Sequence, residues 1–232
     1  MAESPLGVLF LSGAGLPPWM WDDVRARVTD HPTYVGPRPP GADASLGDHA
    51  TAALDAARSE RFVIVAHSAG GMVAAEIAGQ RPDRVAGLLG VSCVVPSPGA
   101  SFVGSMPFPN RVILGLVMRM LGTRPPEKAL RAQAAGLPEP VVDRIVSDFV
   151  PESQRYYRDP APDVGAPAHR RYVCTTRDEE LPEALQRSFA RRLGVDRPDE
   201  LATGHLPMLE DPDALARRIV AFVDSVAGAR PG

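Results

Sequence analysis

Apolar and polar positions along this 232-residue chain follow two rhythms. Short branched apolar runs at 7–11, 33–35, 62–66, 85–93 and 171–175, with a weaker one at 199–202, predict strands. Between them, apolar residues recur at spacings of three and four over 19–28, 46–58, 68–80, 182–193 and 211–226, which predicts helices. Strands alternating with helices predict an α/β fold, a mostly parallel, doubly wound sheet whose ligands bind at the carboxyl ends of the strands. The alternation breaks over 94–167, where prolines and glycines punctuate helix candidates at 111–121, 126–135 and 139–149. That stretch reads as a helical cap insertion, leaving 1–93 and 168–232 as the core. Its apolar residues, among them Phe102, Met106, Phe108, Met118 and Phe149, face either a site or ordinary packing.

The chemistry concentrates where a predicted strand runs into a predicted helix, at Ala66-His67-Ser68-Ala69-Gly70-Gly71. A serine hydroxyl is a poor nucleophile at neutral pH, so a nucleophilic serine is presented on a tight strand-to-helix turn beside a base and oxyanion donors. Ala66 and Gly70, two before and two after Ser68, are small enough for that turn. The same pattern also suits a plain small-residue turn that starts a helix. A nucleophilic Ser68 requires a later histidine with an acid between them. His205 lies in Thr203-Gly204-His205-Leu206-Pro207-Met208, between the last strand and the last helix. His31, His49 and His169 fall at helix or loop positions away from strand ends. Asp178 comes soonest after the strand 171–175 and is the leading acid, with Glu179 and Glu180 as competitors. All three also read as an acidic cluster favoured by a helix dipole. Oxyanion donors are expected from the N–H of Ala69 and from the loop Ser12-Gly13-Ala14-Gly15, with Ala14 the choice there.

Other chemistries fit less well. Gly13-Ala14-Gly15 is not a dinucleotide fingerprint, since Pro18 stands at the third glycine position and no ribose-binding acid follows the strand 33–35. No Walker lysine follows Gly70-Gly71, and no His/Cys cluster has metal-ligand spacing, so neither cofactor nor metal is expected. A net charge of -3, with 23% charged residues and no Lys/Arg run, argues against a nucleic-acid partner and leaves a small-molecule substrate. The apolar run 6–11 is too short to span a membrane, and residues 1–5 lack a basic signal region, so no membrane partner and a cytoplasmic location are expected. In that compartment Cys93 and Cys174, at the ends of predicted strands, read as free core residues rather than a disulfide. Nothing in the pattern sets an oligomeric state.

Taken together, the Ser12-Gly13 loop with its tryptophan-bearing helix, the elbow 66–71, Asp178 after the penultimate strand and Gly204-His205 before the last helix resemble the α/β-hydrolase superfamily over nearly the full length. Segments 172–186 and 204–209 resemble its small-capped branch of plant methyl esterases and hydroxynitrile lyases. In those lyases a lysine follows the histidine and the oxyanion loop carries a hydroxyl side chain. Leu206 and Gly13 stand at those positions here, which is the esterase-type pattern. The chain departs from many members in having Ser12 in place of histidine, and Pro37-Arg38-Pro39-Pro40-Gly41 where an aspartate precedes the Pro-Gly turn. The resemblance implies a Ser68-His205-Asp178 hydrolase for a small, largely apolar ester or thioester, with Gly13, Trp19, Phe102, Met106 and Leu206 around the substrate and Leu206 beneath cap residues 102–120. Two alternatives stand beside it: a lyase or cyclase using the same residues for proton transfer, and a non-catalytic binding protein on the same fold. Retention of Ser68, Asp178 and His205 argues against the binder.

Overall fold

Branched apolar runs become strands when both faces of the sheet can be covered. In the computed structural model, which describes residues 5–165 and 167–229, these runs form β1 (Gly7–Leu11), β2 (Thr33–Val35), β3 (Phe62–His67), β4 (Val85–Val91), β5 (His169–Thr175) and β6 (Asp199–Leu201). The N-terminal residues 1–4, read above as lacking a signal region, and 230–232 lie outside the described residues. The sheet order is β2-β1-β3-β4-β5-β6, and every pairing is parallel. Side chains alternate between faces: Leu9, Leu11, Ile64 and Ala66 join one apolar cluster, and Val8, Phe10, Val63 and Val65 join the other.

Helices cover both faces. A 3-10 turn (Pro18–Trp21) and α1 (Asp22–Arg25) precede β2; α2 (Leu46–Ala56) and α3 (Gly70–Gln80) flank β3. α2 begins with a capping box, in which Ser45 Oγ accepts from Asp48 N at 3.1 Å and Asp48 Oδ2 accepts from Ser45 N at 2.8 Å. Between β4 and β5 the chain forms α4 (Phe102–Ser105), α5 (Asn110–Leu121), α6 (Glu127–Gln133), α7 (Glu139–Asp148) and α8 (Gln154–Arg158). α9 (Glu183–Arg192), α10 (Pro207–Glu210) and α11 (Pro212–Ala227) complete the order. α2, α3 and α9 pack in the first cluster, while α1 and α11 pack in the second. The segment between β4 and β5 joins both: Tyr156 and Tyr157 in the first, Leu130, Val142, Ile145 and Phe149 in the second.

Three expected elements differ. The helix at 19–28 shortens to the 3-10 turn and α1, because Arg27 N and Val28 N bond to Val24 and Arg25 carbonyls in tight turns, at 3.0 and 3.1 Å. The strand at 85–93 stops at Val91: Ser92 adopts φ 36°, so Cys93 lies beyond the strand. His169 begins β5 rather than sitting in a loop. Cys93 and Cys174 are both buried and free, and burial pushes their thiols up to about 12 and about 11. Among the described residues no helix is long and apolar enough to cross a membrane.

In this sheet order the chain runs outward from β1 to β2 and then returns to the other side of β1 with β3. The crevice at the carboxyl ends of β1 and β3 is therefore the topological switch point, where open α/β sheets bind ligands.

Candidate active site

The end of β3 turns sharply into α3. Ser68 has φ 51°, a left-handed conformation that costs a non-glycine residue energy and that its neighbours enforce. Its carbonyl accepts from Val94 N at 2.9 Å and Gly71 N at 3.3 Å. The turn closes only because the second and third positions after Ser68 are glycines. A Cβ on Gly70 would lie 2.6 Å from the Leu11 carbonyl oxygen, and one on Gly71 would lie 2.0 Å from that of Val94.

His205, just after β6, reaches the turn from the other side. Its Nδ1–H donates to Asp178 Oδ2 at 2.7 Å, which leaves the Nε2 lone pair to accept the Ser68 hydroxyl at 3.0 Å. Asp178 follows β5 and is buried. Its Oδ1 accepts from Glu180 N and Leu181 N, both at 2.9 Å, and its Oδ2 also accepts from the Thr175 hydroxyl at 2.9 Å. Burial alone would push this carboxyl up; the hydrogen bond and charge of His205, with the Leu181 N–H and Thr175 hydroxyl, outweigh it and hold Asp178 below the usual carboxylate range. Glu180 goes the other way, raised by burial, and lends its backbone N–H to Asp178. Gln186 of α9 braces the site, donating to the Thr175 and Leu181 carbonyls at 3.0 and 2.6 Å. Such a chain can take a proton from the serine hydroxyl onto an imidazole whose positive charge the carboxylate offsets.

His67, which the sequence reading passed over, lies behind this line. A carbonyl only accepts, so the 2.8 Å contact between His67 Nε2 and the His205 carbonyl fixes the proton on Nε2. Burial, reinforced by His205, pushes His67 down to about 3, so the ring is neutral, and among the described residues its buried Nδ1 has no hydrogen-bond partner. That nitrogen faces the loop after β1, where a Cβ on Gly13 would lie 3.2 Å from it and 3.0 Å from Ser68 Cβ.

The loop after β1 is held from three directions. Trp21 Nε1 donates to Ser12 Oγ at 3.1 Å, which supports the start of the loop. Gly15 donates its N–H to Glu152 Oε1 at 3.2 Å and accepts from Val150 N at 3.1 Å. Only glycine fits there: φ is 75° and a Cβ would lie 2.2 Å from the Phe149 ring. Among the described residues, neither the Ala14 nor the Ala69 N–H donates to a protein acceptor. Glu152, itself buried, pairs with Arg38 Nη2 at 3.0 Å and approaches His49 Nε2 to 3.3 Å, outside hydrogen-bonding geometry. Arg38, His49, Glu152 and Tyr156 line a cavity of about 130 Å³ that also touches Ser12 and Gly13.

Of the residues expected around a substrate, Gly13 borders Ser68 and this cavity. Trp19 ties the first loop to α7: its Nε1 donates to Asp148 Oδ2 at 2.9 Å, and the Arg144 guanidinium lies 4.1 Å from its ring. Phe102 and Met106 pack in the first cluster, Phe102 edge-on to Tyr157. Leu206 is fully buried in the second cluster with Leu16, Ile145 and Phe149, rather than beneath 102–120. Arg38, His49 and Glu152 were not expected, and no local pattern marks them.

The model of the alpha/beta hydrolase family matches residues 8–218. No curated protein matches the sequence. Among solved structures, the chain is similar to an extracellular α/β-hydrolase from a Paenibacillus species, described as sharing structural and functional homology with tobacco Salicylic Acid Binding Protein 2. The TM-score is 0.79 and the identity 18%, over 94% of this chain and 99% of that one. It is similar to a pyrethroid hydrolase from Sphingobium faniae (TM-score 0.72, 21% identity, 97% and 99% covered). It is also similar to an H243A variant of tomato methylketone synthase I complexed with beta-ketoheptanoate (TM-score 0.75, 14% identity, 96% and 99% covered). At these identities the likeness is one of fold. The family match, spanning most of the chain and both loops that meet at Ser68, establishes that the protein belongs to the alpha/beta hydrolase family of enzymes.

Proposed function

We propose that this enzyme is a serine hydrolase that cleaves a small, largely apolar ester or thioester through an acyl-enzyme and needs no cofactor. The observation that carries the reading is His205, which joins the partly exposed Ser68 and the buried Asp178 at 3.0 and 2.7 Å in one line. Ser68 Oγ attacks the carbonyl carbon as His205 Nε2 takes its proton, and Asp178 stabilises the imidazolium. The tetrahedral oxyanion receives hydrogen bonds from the Ala14 and Ala69 N–H groups, the latter at the start of α3 where the helix dipole favours negative charge. Collapse passes the proton to the leaving alcohol or thiol. Water, deprotonated by His205, then releases the acid and restores Ser68. Segment 94–167 acts as the cap, and Phe102 and Met106 give it an apolar lining that favours apolar acyl or alcohol groups. Leu206 and Gly13 favour ester cleavage over cyanohydrin cleavage: neither supplies the ammonium or hydroxyl that such lyases use. The reaction belongs in the cytoplasm, where the two free thiols persist.

The test combines p-nitrophenyl esters of increasing acyl length with intact-mass detection of a fluorophosphonate adduct. We expect turnover, one adduct on Ser68, and loss of both in Ser68→Ala, with kcat down by about 10³ or more. Turnover by folded Ser68→Ala within about tenfold of wild type refutes the nucleophile. Efficient cleavage of a cyanohydrin without any trapped acyl-enzyme favours the lyase.

A further inference from the structure

α5 contributes no buried side chain although its residues are mostly apolar. Val112, Leu116 and Met120 form one row along its outer side, and Ile113, Val117 and Leu121 form a second, each at the four-residue spacing that makes a packing ridge. Leu121 is 78% exposed and Met120 72%, and Phe108 just before the helix is 74% exposed. Together these side chains present on the order of 800 Å² of apolar surface, beyond the roughly 300–600 Å² of the largest patch on an ordinary monomer and close to the roughly 800 Å² each partner gives to a standard interface. The helix is also fixed in place, because α8 reaches it through Arg158 Nη2 to the Gly115 carbonyl at 2.7 Å and Gln154 Nε2 to that of Met118.

We propose that the outer face of α5 is a homodimer interface, packed antiparallel against α5 of a second copy. Residues 106–126 carry Arg111, Arg119 and Arg124 but no acid, and Arg124 is already engaged by the Phe149 and Val146 carbonyls. Arg111 sits in the first turn of α5, where the dipole of its own helix disfavours a cation. Antiparallel packing about an axis between Leu116 and Val117 moves that guanidinium to the carbonyl end of the other copy's helix, where a cation is favoured. A membrane surface is the weaker occupant. Two available arginines on a chain of net charge -3, each worth about 1 kcal/mol at an anionic surface, do not anchor it. The inference does not depend on the proposed reaction.

Sedimentation velocity at micromolar concentration should show wild type as a dimer. Leu116→Glu should raise the dissociation constant by roughly 100-fold or more, since it buries an unpaired carboxylate from each copy, while its far-UV circular dichroism stays that of wild type. Independently of that variant, Leu116→Cys should cross-link to itself under mild oxidation and Val112→Cys should not, because only the former lies beside the axis; the native cysteines are buried. A monomeric wild type, a dimer unaffected by Leu116→Glu, or equal cross-linking at both positions overturns the proposal. So does a monomer that floats with phosphatidylcholine–phosphatidylserine vesicles, which gives the face to a membrane.

Discussion

Replacing His67 by glutamine should flatten the acid side of the stability curve. Burial pushes this imidazole from 6.5 down to about 3 in the folded chain, so below pH 6.5 the unfolded state binds a proton that the folded state refuses. Stability therefore rises with pH up to about 6.5 and is then flat as far as His67 is concerned. At about pH 5 the folded value is still far below the ambient pH, so the unfolded value alone sets the penalty. Each pH unit below it costs about 1.4 kcal/mol, or about 2 kcal/mol at pH 5. Glutamine removes the titration while its side-chain amide can still reach the His205 carbonyl that His67 Nε2 holds at 2.8 Å. Urea melts of both proteins at about pH 5 and about pH 7.5 give a double difference in which every other titrating group cancels. Wild type should lose about 2 kcal/mol more than His67→Gln on acidification. Equal losses, within about 0.5 kcal/mol, would show that His67 protonates in the folded protein and that its buried Nδ1 is not the isolated lone pair described here.

Asp178→Asn should lower kcat by about 10⁴ on a p-nitrophenyl ester, because an amide at Oδ2 stabilises the wrong tautomer of His205, whereas Glu180→Gln should stay within about threefold. A crippled Glu180→Gln beside an active Asp178→Asn would give the acid's role to Glu180 instead. Glu152→Gln should keep KM and lower kcat by about 10-fold or more, because half of the carboxylate that receives Gly15 N and Arg38 becomes a donor; unchanged kcat with a lowered Tm would make Glu152 merely structural. Gly71→Ala should cost more than about 2 kcal/mol and several degrees in Tm, since its methyl meets the Val94 carbonyl at 2.0 Å, and a melt like wild type would show that the elbow has slack.

Ser68, Asp178 and His205 were legible because each stands just past a strand, where local pattern fixes position along the sheet edge. The same logic failed for Leu206. Sequence places it beside His205, but which face of the sheet receives it depends on how α10 and α11 dock, and it enters the cluster opposite Phe102 and Met106. The helices α4 and α8 escaped notice because they are too short for periodicity. Their only marks are Ser101 and Ser153, whose hydroxyls cap them by accepting from Gly104 N and Tyr156 N at 3.0 Å. Arg38, His49 and Glu152 come from three separated segments, each of which alone reads as an ordinary polar position. Only the tertiary fold shows that the buried Glu152 carboxylate takes both Arg38 and the Gly15 N–H, with His49 beside it.

That carboxylate bears on how the segment between β4 and β5 meets the rest of the chain. The strip 148–152 belongs to the segment proposed as the cap, and four of its contacts fall on the loop and 3-10 turn that follow β1. Asp148 takes the Trp19 indole N–H, Phe149 covers Gly15, Val150 N bonds to the Gly15 carbonyl, and Glu152 takes the Gly15 N–H. Both polar groups of Gly15 are thus engaged by residues beyond the sheet's first half, while among the described residues the adjoining Ala14 N–H has no protein acceptor. A loop pinned at one residue presents the N–H of the next in a fixed direction, which is what preorganised oxyanion stabilisation requires. Changes in 148–152 that keep the Phe149 ring, which belongs to the second apolar cluster, but remove the contacts of Val150 and Glu152 with Gly15 should therefore loosen the chemistry before they loosen the fold.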